Sequence, residues 1–422
     1  MILVQNPPLP LSGNKLKGYL SIFCLLFLLA NSCGSIQSSM SQPKLGLHPL
    51  LGRDINPSET RLKHFGGNSQ VANIALLLPF NLNTLPADGN AAQAQIESNA
   101  LVWDFYQGFL LALDSLGRYN LDHNLKGIDL QVMDTGEDTL VLNQILQGGP
   151  LDPVDLVIGP LYPNQIKAVT NYSISKNKFF VSPISPQPLS NFNNPNLIMV
   201  NSPLEAYSER TANFIQEQYP ASNILILETS PQDKAYYGPM LSHFILPPKI
   251  IKLNSSQINS GKIPLSTNLN NILVVPSLDK AFWSKLTVFL SSLSPTIPIQ
   301  VFAHPNFPRL NYGDQDLLQS LHVHYPSTYF MDKDDAATIE MLNLYKSRYQ
   351  INAGEFSLLG YDVGMFFGKA LTSNDSLSTV LLNANWKGIH NDIRFNKEPK
   401  LGYWNQSIKM IEYSSNSLVE DK

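Results

Sequence analysis

The segment Asn73-Ile-Ala-Leu-Leu-Leu-Pro79 is an unbroken apolar run closed by proline. A strand that is apolar at every position must be buried on both faces. A parallel sheet covered by helices provides that burial, whereas a sheet with one wet face does not. The residues that follow repeat the demand. Leu101–Leu116 carries Val102, Phe105, Phe109, Ala112, Leu113 and Leu116 at helical spacing, which predicts an amphipathic helix. Strands are then predicted at Ile128–Met133, Asp155–Ile158, Lys178–Ser182 and Leu197–Val200, with helices at Thr139–Leu146 and Asn164–Tyr172. The alternation starts again with helix Glu205–Gln218 and strand Asn223–Leu227. Helix Lys234–Phe244 and strands Lys249–Leu253 and Asn271–Val275 follow, then helix Lys280–Leu290 and strand Ile297–Phe302. Helices Ala336–Tyr349 and Leu358–Leu371 come next, and the tail holds strands near Ile393–Phe395 and Ser407–Tyr413.

This pattern predicts an α/β chain of two doubly wound lobes joined by multiple crossovers. The expected division is a first lobe over 71–203, a second over 204–322, a return to the first over 323–375, and a C-terminal segment, 376–422, in the second. Ligands of such sheets sit outside the carboxyl ends of the strands. The loops after Pro79, Asp134, Ile158, Ser182 and Val200 are expected to line one wall of a crevice. The loop holding Tyr236 and Tyr237 is expected to line the other.

The amino terminus says where the chain operates. Lys15 and Lys17 precede a mostly apolar stretch from Tyr19 to Ala30, and Asn31, Ser32, Cys33 and Gly34 follow. That is a charged n-region, an apolar h-region and a small-residue cleavage site. About twelve apolar residues make a helix of roughly 18 Å, short of a ~30 Å hydrocarbon core. Ala30-Asn31-Ser32-Cys33 resembles a bacterial lipobox, so residues 1–33 are expected to be a lipoprotein signal and Cys33 the lipidated residue. The only other cysteine, Cys24, lies inside the h-region, which leaves the folded part without a disulfide, a zinc–thiolate site or a thiol nucleophile. Residues 34–70 are rich in Ser, Pro and Gly and read as a tether, spanning on the order of 35 Å. A net charge of −4, spread without blocks, argues against nucleic acid as a partner.

Several segments in order resemble the type I periplasmic-binding-protein superfamily. They are Ile74–Pro79, Phe105-Tyr-Gln-Gly-Phe-Leu-Leu-Ala-Leu-Asp114, Asp155-Leu-Val-Ile-Gly-Pro-Leu161, Phe180-Val-Ser-Pro-Ile-Ser-Pro186 and Gly360-Tyr-Asp362. The chain is similar to its amino-acid-type lipoproteins, which often carry a LysM module, and to the related penicillin-binding-protein activators. Residues 34–70 are too short for a LysM module. The resemblance implies a non-enzymatic envelope protein, without cofactor or metal, membrane-anchored in the periplasm, with the outer membrane favoured over the inner. Its partner would be a small polar, amino-acid-like solute or, alternatively, an envelope protein such as a peptidoglycan synthase. The ligand residues it points to are Asp134, Tyr162, Asn164, Ser182, Ser185, Tyr236 and Tyr237. Pro163 and Pro186 stand where amino-acid receptors of this superfamily offer hydroxyl donors. Proline has neither an N–H nor a hydroxyl.

Other motifs point to structure rather than chemistry. Asp134-Thr135-Gly136 copies the aspartic-protease triplet, but only once, and that chemistry needs two aspartates. His322-Val-His324 is expected to put two imidazoles on one strand face, too few ligands for a metal. Asp332, Asp334 and Asp335 fit a helix start. No GxSxG, HExxH, P-loop or GxGxxG pattern occurs in the chain.

Overall fold

A computed structural model of the chain describes residues 61–84, 93–137, 139–259, 261–312, 315–414 and 417–421. The expectations for the signal, for Cys33 and for the tether up to residue 60 lie outside them. In chain order the elements are β1 (Arg61–Phe65), β2 (Asn68–Leu78), α1 (Gln93–Asp122), β3 (Lys126–Asp134), α2 (Thr139–Gly148), β4 (Leu156–Ile158), α3 (Pro163–Ser175), β5 (Phe180–Ser182) and β6 (Leu197–Met199). They continue with α4 (Leu204–Gln218), β7 (Asn223–Glu228), α5 (Lys234–Met240), β8 (Lys249–Lys252), β9 (Asn271–Val275), α6 (Lys280–Ser291), β10 (Ile299–Ala303), α7 (Gln315–Ser320) and β11 (Val323–Ser327). Last come α8 (Ala336–Tyr349), α9 (Glu355–Thr372), α10 (Leu377–Leu382), β12 (Phe395–Glu398), β13 (Gly402–Asn405), β14 (Lys409–Ser414) and β15 (Ser417–Asp421).

These strands form two sheets. The first has the order β1-β3-β2-β4-β5-β6-β13-β12, parallel except at its two edge strands. The second has the order β15-β14-β11-β10-β9-β7-β8, parallel from β11 to β8. The apolar run in β2 is divided between two cores. Ile74, Leu76 and Leu78 face one helical layer, and Ala75 and Leu77 face the other. All five are fully buried, which is why the run shows no alternation.

The layer under the first sheet is built on α1 and α9, which run side by side in the same direction. Gly108, Gly360, Gly364 and Gly368 form the seam. A Cβ at Gly360 would stand 2.1 Å from the Phe105 carbonyl oxygen, and one at Gly364 would stand 2.7 Å from Ala112 Cβ. Glycine every fourth residue on α9 therefore lets the two backbones approach more closely than any side chain allows. Asp362, on the same helix, is buried and accepts three backbone N–H groups, from Ile389 (3.0 Å), His390 (2.9 Å) and Asn391 (2.7 Å).

The chain crosses between the sheets three times, at 200–203, 328–335 and 406–408. A polar network ties the crossings together. Tyr207 donates its hydroxyl to Asn201 Oδ1 at 2.8 Å and lies 2.9 Å from Thr328 Oγ1. Ser202 donates to the Asn405 carbonyl, and Asn405 Nδ2 donates to the Asp392 carbonyl at 2.8 Å.

The structure corrects the sequence-based division at several points. Residues 61–70 are not tether: β1 pairs antiparallel with β3, and β2 begins at Asn68. The return to the first lobe starts after Ser327, because β11 belongs to the second sheet. The tail is split, with β12 and β13 in the first sheet and β14 and β15 in the second. His322 and His324 do not share a strand face. His322 precedes β11 with φ 46° and pairs with Glu412 at 2.9 Å, while His324 is buried. Asp335 caps α8, accepting from Thr338 N.

Candidate functional site

The first two crossings leave from the carboxyl ends of β6 and β11, so the carboxyl ends of both sheets lie beside the crossing segments. This edge of the first sheet holds five of the seven residues expected at the site, and the one carboxylate among the five is committed to backbone. Asp134, at the end of β3, accepts from the backbone N–H of Asn81 (3.1 Å), Leu82 (2.8 Å) and Gly136 (3.0 Å). Its carboxylate fixes the loop after β2. Ser182 ends β5 with a buried hydroxyl that has no hydrogen-bond partner among the described residues. Ser185 is buried and accepts from Gln187 N at 3.4 Å. Tyr162 precedes α3 and is half-buried; burial, aided by the Glu137 carboxylate, pushes its phenol pKa up. Asn164 is exposed in the first turn of α3.

Tyr236 and Tyr237, expected on a crevice loop although they fall within the span Lys234–Phe244 predicted as helix, lie on helix α5 and face the core. Gly238 and Pro239 give the segment the look of a loop, yet Pro239 sits near the end of a helix only seven residues long. Tyr236 is hydrogen-bonded to Thr211 Oγ1 at 2.9 Å. Tyr237 donates to Glu228 Oε2 at 2.6 Å, and burial together with that carboxylate pushes its pKa up to about 12. Tyr237 is thus tied to the end of β7, whereas Tyr236 keeps one edge on a cavity.

That cavity, of about 430 Å³, opens at the carboxyl edge of the second sheet. Thr229 and Ser230 follow β7, Asn254 and Ser255 follow β8, Pro276 and Ser277 follow β9, and His304 follows β10. Leu204, at the end of the first crossing, is also part of the wall. Asp233 organises one side, accepting from Thr229 N (2.7 Å), Thr229 Oγ1 (2.9 Å), Ser230 N (3.1 Å) and Ser230 Oγ (3.0 Å). Asp279 caps α6 through Oδ1, accepting from Ala281 N and Phe282 N. His304 is nearly buried, its ring edge-on to Tyr236 at 4.9 Å. The Asn306 N–H donates to its Nδ1 at 3.0 Å, so Nε2 carries the proton. Burial holds its pKa down to about 4, with Asp233 opposing, and the ring is therefore a neutral donor near pH 7.

Sequence reasoning named only Tyr236 of this group. The available signal was a hydroxyl or amide just beyond each strand end, as in Glu228-Thr229-Ser230 and Val275-Pro276-Ser277. Among the described residues no cluster of His, Cys, Asp and Glu is arranged to hold a metal ion, and no helix is long and apolar enough to cross a membrane.

No protein-family profile matches the chain, and no curated protein sequence matches it. Solved structures do. A protein described as a branched-chain amino acid ABC transporter from Rhodospirillum rubrum aligns with TM-score 0.61 and 12% identity, over 83% of this chain and all of that one. An ABC transporter substrate-binding protein from Desulfitobacterium hafniense, solved with leucine, gives 0.51 and 12% over the same shares. Full-length LpoA from Haemophilus influenzae gives 0.55 and 14%, over 84% of this chain and 60% of that one. Its C-domain, described as a regulator of PBP1A, gives 0.52 and 13%, over 83% of this chain and all of that domain. At these identities the likeness is one of architecture: the chain has the two-lobed type I periplasmic-binding-protein fold.

Proposed function

We propose that the chain is a solute-binding protein of the cell envelope, without catalytic activity, that takes a small polar solute at the crevice edge of its second lobe. One observation carries this reading. A cavity of about 430 Å³ stands at the carboxyl ends of four parallel strands, lined by hydroxyls, amides and a neutral imidazole donor. Its size falls within the ~300–1,000 Å³ range of small-molecule sites. The lipobox-like Cys33 supports a lipid anchor, with the outer membrane as the expected location. The test is a thermal-shift and calorimetric screen of the full chain in detergent against amino acids, sugars and amines. A saturable, concentration-dependent rise in melting temperature with at least one of them is expected. No shift with any class overturns the reading.

A second reading, a protein-interaction role at the envelope, is favoured by the first-lobe wall. Asp134 serves the loop backbone there, and Ser182 and Ser185 are buried. Capture of a penicillin-binding protein by the full chain, with no response to any solute, would favour that role.

A further inference from the structure

We infer that the second-lobe cavity is a subsite for an uncharged, hydroxyl-bearing ligand of the sugar class, and that it excludes carboxylates. The inference rests on the solute-binding reading and narrows it. Its first ground is the charge of the wall. Asp233 and Asp279 line the cavity, and among the described residues no lysine or arginine does. Lys280, next in sequence to Asp279, turns away to the Asn311 carbonyl at 3.2 Å. A ligand carboxylate would meet like charge there and lose its hydration with no cation in return.

An amine is poorly served too. Asp233 Oδ2 takes three donors and its Oδ1 takes Ser230 Oγ, and the first oxygen of Asp279 holds the start of α6. What is left for an ammonium group is Asp279 Oδ2, at an exposed position, and the one remaining lone pair of Asp233 Oδ1, too little to surround a cation. The groups that do remain suit hydroxyls. His304 Nε2 is a neutral donor, because its Nδ1 is already occupied. The Asn254 side-chain amide still has its N–H donors, since its oxygen is the atom used locally. The Gln232 amide and the Ser255 hydroxyl offer both a donor and an acceptor. Tyr236, Phe282 and Leu278 add apolar surface for the C–H face of a ring. Hydroxyls that donate and accept at alternate positions match such a mixed wall, whereas a group of fixed charge does not.

The experiment uses the full chain in detergent. The probes are D-glucose, D-ribose and N-acetyl-D-glucosamine, set against L-leucine, L-glutamate and putrescine. Saturable binding of one or more sugars is expected, weakened about tenfold by Gln232→Ala and by His304→Phe. Gln232 is exposed, so its variant tests the subsite even where His304→Phe fails to fold. Ser255→Lys places a cation at the rim; it should weaken the sugar and admit L-glutamate. If leucine or glutamate binds the unmodified chain and Gln232→Ala weakens it, the sugar subsite is wrong and the solute-binding reading stands. Binding of putrescine alone has the same consequence. If sugar binding ignores all three substitutions, the cavity is not its site. If none of the six probes binds, the sugar subsite is overturned; solute binding falls with it only if the wider screen is also silent.

Discussion

Asp362 should make the stability of the fold depend on pH, in a direction opposite to most carboxylates. The side chain is 1% exposed and pairs with no cation, and burial lifts its pKa to about 7 against the pull of three backbone N–H donors. Between the ordinary carboxylate value of ~3.9 and about 7, the folded chain holds a proton that the unfolded chain has released, so stability falls as pH rises through that window. At ~1.4 kcal/mol per unit over the two units between pH 5 and 7, the loss is roughly 2–3 kcal/mol by pH 8. His304 and His390 act the other way. Burial holds both near pKa 4, so the unfolded chain takes up their protons first below pH 6.5, and each returns about 2 kcal/mol between pH 5 and pH 8. The pH curve of the unmodified chain therefore mixes opposing contributions, the two histidines outweighing Asp362, and tests nothing alone. The difference from Asp362→Asn isolates the carboxyl group. The variant keeps one acceptor oxygen and turns its NH₂ toward backbone donors, at a cost of roughly 2–4 kcal/mol at pH 5. By pH 8 that cost should shrink by about 2–3 kcal/mol, because the carboxylate it replaces is then charged and buried. Equilibrium urea unfolding at the two pH values reads the gap. An equal gap at pH 5 and pH 8 would show that Asp362 is ionised throughout, and refute the argument.

Other substitutions test separate parts of the structure. Gly364→Leu should separate α1 from α9 and cost ~3 kcal/mol or more, read as lost soluble yield or a lower unfolding midpoint; an unchanged midpoint would deny the close seam. Tyr207→Phe removes the hydroxyl shared by two crossings and should cost ~1 kcal/mol while leaving affinity at the second-lobe cavity unchanged. Cys33→Ala should abolish incorporation of a fatty-acid label in cells; retained label would end the lipoprotein proposal.

How much of this was legible in the sequence depends on how local each signal is. The strand β2 announced itself because both its faces are covered, and the α1 stripe of Phe105, Phe109 and Leu113 did so for the opposite reason, being one-sided. Strand β1 did not. Arg61-Leu-Lys-His-Phe65 is an edge strand whose hydrogen bonds come from β3, about 65 residues on, and nothing nearby announces that partner. The tail departs from the expected division for a related reason. Gly402-Tyr-Trp-Asn405 joins β6 in parallel, and the next strand crosses to β11; a local pattern records that a strand forms, not which sheet receives it. The candidate site fared worst. Its lining comes from four strand ends spread over 229–304, and each contributes one or two small polar residues of the kind that ends any strand.

The two lobes use their polar residues differently, and this bears on how a ligand would be held. In the first lobe, Asp134 and Asp362 each take three backbone N–H groups, and both are thereby committed to holding loops. In the second lobe, Asp233 and Asp279 hold loop and helix backbone as well, yet His304, Asn254 and Gln232 keep donors for the cavity. Apart from Leu204 at the end of the first crossing, every lining residue belongs to the second lobe. Preformed contacts of this kind need no closure of one lobe on the other, so their strength should not depend on the angle set by the crossings. The network of Tyr207, Asn201 and Thr328 is then a structural fastening and not part of the binding energy. A receptor that relied on closure would show the reverse, with affinity sensitive to the crossings and poor before the lobes met. The independence of cavity and crossings separates a one-lobe site from a two-lobe clamp, whichever solute fills it.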